Sequence, residues 1–90
     1  MKKILFQKKF RKDINKLKKS GDKDINTLKD VIKILVQGNP LPIKFKDHPL
    51  KGEFYGCRDC HIEGDWILIY EVKDDNIYFY RTGSHSELFG

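Results

Sequence analysis

Apolar residues recur along this chain in two rhythms. From Lys8 to Ser20, Phe10, Ile14 and Leu17 stand three or four positions apart among lysines, the spacing of one helical face, and Ser20-Gly21 ends the segment. From about Asp24 to Val36, Ile25, Leu28, Val31, Ile32 and Leu35 form a second stripe, stopped by Gly38-Asn39-Pro40. A short strand, Lys3 to Gln7, is predicted ahead of them. Two amphipathic helices joined through Gly21-Asp22 make a helical hairpin whose apolar stripes require a sheet to cover them. The second half of the chain supplies it. Runs at about Glu53 to Ile62, Trp66 to Val72 and Ile77 to Thr82, separated by Glu63-Gly64-Asp65 and Lys73-Asp74-Asp75-Asn76, predict three strands in an antiparallel meander. Pro40, Pro42 and Pro49 keep the intervening segment, Pro40 to Lys51, extended over the surface and out of a central strand, and loops of this kind often hold function. The expected fold class is α+β: a short N-terminal strand, a helical hairpin, then a three-stranded antiparallel meander with the helices on one face of the sheet. Residues 1–90 form one domain, with no internal repeat.

Composition narrows the class. A chain of 90 residues holds one small domain, and 39% hydrophobic against 34% charged residues is too apolar for a disordered one. The net charge is +5, and from Met1 to Ser20 nine basic residues face a single acid, Asp13. That surface suits a nucleic acid or an acidic protein partner, or is a solvated face; charge alone does not separate these. No stretch approaches the 18 or so apolar residues of a membrane span, so no membrane role is expected. Cys57 and Cys60 read as reduced thiols, which fits a bacterial-type cytoplasm.

Cys57-Arg58-Asp59-Cys60-His61 matches a haem-attachment string and contains three zinc-ligand types, yet neither reading is adopted. Covalent haem attachment goes with export, and in a strand positions 57 and 60 point to opposite faces, so both cannot grip one ion. One cysteine is expected in the core and the other at the surface. No cofactor and no metal are expected.

His48 sits in the proline-rich loop, His61 near the end of the first meander strand, Asp65 in the next turn and His85 just beyond the last strand. Adjacent ends of a meander can bring them together with Arg81. Imidazoles have a reference pKa of about 6.5. RNA cleavage needs one group to take the ribose 2′-hydroxyl proton, another to protonate the leaving 5′-oxygen, and a cation to stabilise the phosphate. Against this, a histidine on a small basic protein is commonly a surface or capping residue. Trp66, Tyr55, Tyr70, Tyr78 and Tyr80 can stack on bases, although aromatics in strands are mostly core; Phe89 is harder to explain as core.

Three blocks carry a specific resemblance: Asp47-His48-Pro49-Leu50-Lys51-Gly52, then Cys60-His61-Ile62-Glu63-Gly64-Asp65-Trp66-Ile67-Leu68-Ile69-Tyr70, then Arg81-Thr82-Gly83-Ser84-His85-Ser86-Glu87-Leu88-Phe89. In order and spacing they resemble the YafQ branch of the RelE/ParE toxin superfamily, and the likeness covers essentially the whole chain. It implies a RelE-like fold and a type II toxin that cleaves messenger RNA in the ribosomal A site through 2′-hydroxyl attack. It implies His85 as proton donor or its partner, and His48, His61 and Asp65 at the other acid/base and substrate-orienting positions. Arg81 matches the phosphate-stabilising position, Trp66 and Phe89 match aromatic positions near the site, and Lys46 and Lys51 are further phosphate contacts. A neutralising antitoxin, whose complex binds operator DNA, is the implied partner. Ile67 stands where leucine is common, and Glu63-Gly64 replaces a lysine and a proline, which leaves the turn at Asp65 looser. A ParE-like gyrase inhibitor, or a nucleic-acid-binding module without catalysis, is the alternative.

Overall fold

The first helix begins after Gln7 and ends where Gly21 takes the left-handed conformation (φ 70°) that lets its N–H reach the Leu17 carbonyl. The second opens on Asp24, whose carboxylate accepts the Asn26 N–H at 2.9 Å. A computed structural model describes residues 2–89 and places eight elements in chain order: β1 (Lys3–Phe6), α1 (Lys8–Ser20), α2 (Ile25–Val36), β2 (His48–Pro49), β3 (Arg58–Glu63), β4 (Trp66–Lys73), β5 (Asn76–Ser84) and α3 (His85–Phe89).

The strands form a five-stranded mixed sheet in the order β1-β5-β4-β3-β2. The predicted meander is its centre, and both hairpins are antiparallel. Two strands extend it: the predicted N-terminal strand, β1, and the unpredicted β2. β1 lies parallel to β5, Lys3 beside Asn76 and Phe6 beside Phe79, and β2 pairs antiparallel with β3 at the opposite edge, His48 beside Asp59. The proline-rich loop therefore contributes an edge strand, which tolerates Pro49 because an edge position need not donate to a ladder. The strand predicted from Glu53 starts only at Arg58, since Gly52 (φ 67°) and Gly56 (φ 95°) turn the chain and Gly52–Phe54 is a single 3-10 turn.

Alternation along the strands builds two cores. Cys60, Ile62, Trp66, Leu68, Tyr70, Ile77 and Phe79 pack under α1 and α2 with Phe10, Leu17, Leu28, Val31 and Leu35. A smaller cluster, in which Ile67, Ile69, Cys57 and Leu88 are buried with Leu50, Phe54 and Tyr80 against them, occupies the other side. Positions 57 and 60 thus belong to different clusters, although Cys57 lies in the loop just before β3 and not in the strand itself. Both thiols are buried, however, which corrects the expectation of one at the surface: the loop before β3 folds Cys57 under Phe54. Both helices of the predicted hairpin cover one face of the sheet as expected, and a third, unpredicted helix, α3, places Leu88 in the smaller cluster on the other.

Candidate active site

The second face of the sheet carries the chemistry. On β3, Asp59 and His61 alternate with the core positions Cys60 and Ile62, and cross-strand pairing sets His48 of β2 directly beside Asp59. His85 opens α3, where its backbone N–H donates to the Asp65 carbonyl at 3.1 Å. The three imidazoles then form a row: His48 and His61 have ring centroids 6.2 Å apart, His61 and His85 5.9 Å. Phe89 lies 5.2 Å from His85 and meets Phe54 edge-on at 5.6 Å, leaving its ring part-exposed. Histidines from an edge strand, its neighbouring strand and a helix thus converge on one surface.

Each is held by a local device. Asp47 anchors the loop before His48: its carboxylate accepts the Tyr70 hydroxyl at 2.6 Å and the Arg58 Nε–H at 3.2 Å. That hydrogen bond to Asp47 raises the Arg58 pKa, and burial, followed by the same carboxylate, raises that of Tyr70. Lys46 adopts a left-handed conformation (φ 49°), and its carbonyl receives His48 Nδ1 at 2.8 Å. A carbonyl only accepts, so Nδ1 carries the proton and the neutral ring keeps Nε2 as a free acceptor. α3 is fixed by a reciprocal capping box in which Glu87 accepts the Ser84 N–H at 2.9 Å and Ser84 Oγ accepts the Glu87 N–H at 3.2 Å. Lys16 of α1 ties it down through a 2.7 Å bridge to Glu87.

Other expected site residues lie elsewhere. Trp66 is fully buried on the helix side, its indole N–H donating to Thr82 Oγ1 at 2.9 Å. It is a core residue and presents no face to a base, which corrects its reading as an RNA contact. The guanidinium of Arg81 is turned towards α1, gripping Asp13 through Nε at 2.7 Å and Nη2 at 3.1 Å; Nη1 has no partner among the described residues. Asp65 is exposed in the β3–β4 turn, and Lys46 and Lys51 are exposed beside the proline-rich segment.

The residue that sequence reasoning passed over is Asp59. It is 1% exposed, and neither carboxylate oxygen accepts a hydrogen bond. His48 Nδ1 lies 3.1 Å from Oδ1, a charge contact lacking the angle of a hydrogen bond. Burial raises its pKa, against the opposing pull of His48, His61 and His85. An acid at an alternating strand position reads as solvent-facing, and only the pairing of β2 along that edge shows otherwise.

The sequence matches, from residue 2 to residue 90, the family model described as the bacterial toxin of type II toxin-antitoxin system, YafQ. The chain belongs to the YafQ toxin family. The mRNA interferase toxin YafQ of Escherichia coli strain K12 is 46% identical over 88 residues, covering 97% of this chain and 95% of that protein. YafQ in the crystal structure of the E. coli DinJ-YafQ complex superposes with a TM-score of 0.92 at 43% identity, covering both chains fully. A metal-bound toxin from Helicobacter pylori superposes with a TM-score of 0.90 at 42% identity, over 99% of this chain and 100% of that one. In this chain, His48, Asp59 and His61 offer donor atoms within 4.8 Å of one another. Two imidazoles and a carboxylate suit zinc or copper. The cysteines stand apart from this set, Cys60 in the helix-side core and Cys57 in the smaller cluster, and burial pushes both thiols up.

Proposed function

We propose that this YafQ-family toxin is an endoribonuclease that cuts messenger RNA in the ribosomal A site, and that residues 1–90 act as one catalytic domain in the cytoplasm. No helix among the described residues is long and apolar enough to cross a membrane. The observation that carries the reading is the row of three histidines, with neighbouring rings about 6 Å apart on an exposed face. That span suits a phosphodiester with its attacking and leaving oxygens on either side.

His48, with Nε2 free, takes the ribose 2′-hydroxyl proton, helped by His61 between it and His85. The 2′-oxygen bonds to phosphorus as the bond from phosphorus to the 5′-oxygen breaks. His85 at the far end protonates the departing 5′-oxygen. Asp65 orients the substrate from the adjoining turn, and Phe89 stacks on a base beside His85. Arg81 supplies charge to the phosphate through Nη1 while Asp13 holds the rest of its guanidinium. Lys46 and Lys51 contact flanking phosphates, and the lysine-rich α1 faces ribosomal RNA or an acidic antitoxin. A cognate antitoxin neutralises the toxin, and their complex binds operator DNA; the E. coli relative is seen bound to DinJ.

The test is to express the wild-type chain and His85→Ala in a translating extract and to map messenger ends by primer extension, with and without ribosomes. Ribosome-dependent cuts that vanish in a folded variant are expected. If the wild type makes no cuts the reading is wrong, and gyrase inhibition is assayed next. Cuts that persist in the variant remove His85 from the mechanism.

A further inference from the structure

The buried carboxylate of Asp59 needs an explanation, because burying an ionised group without hydrogen bonds destabilises a fold. No backbone N–H, hydroxyl or guanidinium among the described residues reaches it. What does face it is imidazole: His48 from β2 at 3.1 Å, then His61 from its own strand and His85 from α3, with the acid Asp47 beyond. The Lys46 carbonyl fixes which His48 nitrogen points inward. The outward Nε2 is the one a substrate hydroxyl meets.

We propose that Asp59 is the positioning residue of the catalytic base: it stabilises the imidazolium that His48 becomes on accepting the 2′-hydroxyl proton, and touches no RNA itself. This rests on His48 being the base under the proposed function. The charge balance follows directly. Before transfer the pair is a carboxylate and a neutral ring; after it, a buried carboxylate and a half-exposed cation 3.1 Å apart, whose attraction is stronger than that between two fully solvated charges. The proton stays on His48 and Asp59 remains ionised throughout. A carboxylate behind a histidine orients the ring and stabilises its cation without itself being protonated. Exposure separates this role from that of Asp65, which stands at the surface.

The experiment compares wild type, Asp59→Asn and Asp59→Leu, each also in a His48→Ala background; leucine, apolar and of similar reach, guards against a misfolded amide variant. Expected for both Asp59 substitutions is a fall in the single-turnover cleavage rate of about tenfold or more with KM unchanged and the melting temperature held or raised. The acidic limb of the pH profile, which reports the base, moves to lower pH while the basic limb stays in place, and little further loss appears once His48 is alanine. The ring titration of His48 followed by NMR should move to lower pH in the Asp59 variants, a readout that needs no RNA. An unmoved titration overturns the proposal. So does a loss undiminished by His48→Ala, which would place Asp59's action elsewhere. If the wild type fails to cut RNA, the ribonuclease reading falls while the ring titration still answers for the charge pair.

Discussion

The two faces of the sheet are made by the same three strands and have opposite purposes. On the helix side the inward positions are apolar except Thr82, and the buried polar groups there are matched: Trp66 donates to Thr82 Oγ1, and Thr82 Oγ1 donates to the Ile67 carbonyl. On the other side a smaller apolar patch adjoins a buried carboxylate without hydrogen bonds and three imidazoles. Stability is concentrated on one face and reactivity on the other, one residue apart along β3. Substitutions on the two faces should therefore separate rate from stability.

The largest separation is expected at His85. His85→Ala should lower the cleavage rate by roughly 10²- to 10⁴-fold while leaving the melting temperature near that of wild type, because the side chain is exposed. A large fall in melting temperature in that variant would break the comparison. The converse is Trp66→Ala, which removes a fully buried indole and its hydrogen bond. It should cost about 3 to 5 kcal/mol in denaturant unfolding, with the rate per folded molecule little changed. A folded Trp66 variant with an altered rate at saturating substrate would return that residue to the site.

Metal gives the next effect. The donor atoms of His48, Asp59 and His61 are within 4.8 Å of one another, and an ion there occupies nitrogens that proton transfer needs. Zinc added to chelator-treated protein should suppress cleavage on the order of tenfold, with activity restored by EDTA. Stimulation by zinc would mean that the ion joins the reaction.

The smallest effect belongs to the tether of α3. The Lys16 bridge, with the Ser84 N–H second, holds the Glu87 carboxyl at about 2, below its ordinary value. A carboxyl depressed in the folded state stabilises the fold fully above its ordinary range, and that contribution is lost as pH falls towards 2. Glu87→Gln should lower the melting temperature slightly near pH 6, and the gap should close near pH 2. The effect is small because the bridge is exposed. A gap independent of pH would assign the stabilisation to packing of the helix alone.

Much of this was legible in the residues. α1 came out with its observed ends because a clean apolar spacing meets Gly21, and the three histidines that stand in a row could be grouped from their places at adjacent ends of the meander as well as by family resemblance. What escaped depended on partners distant in sequence. No local pattern says that Lys3 lies beside Asn76, or that two residues of a proline-rich loop pair with β3 and seal Asp59 beneath them. Arg81 could be named, but not its grip on Asp13, a contact made only after α1 packs on β5. α3 is too short for periodicity to register. Its Ser84-His85-Ser86-Glu87 capping box was the one readable sign.

The parallel pairing of β1 with β5 has a consequence in time. A growing chain emerges from the ribosome first strand first, yet that strand has no neighbour until β5 follows almost the whole fold later. Contacts this distant in sequence form late and close the fold cooperatively. His85 and Phe89 emerge later still. A partly synthesised copy thus lacks both its closing strand and the far end of its histidine row, and the ribosome that makes the toxin has translated the whole row before any of it can act.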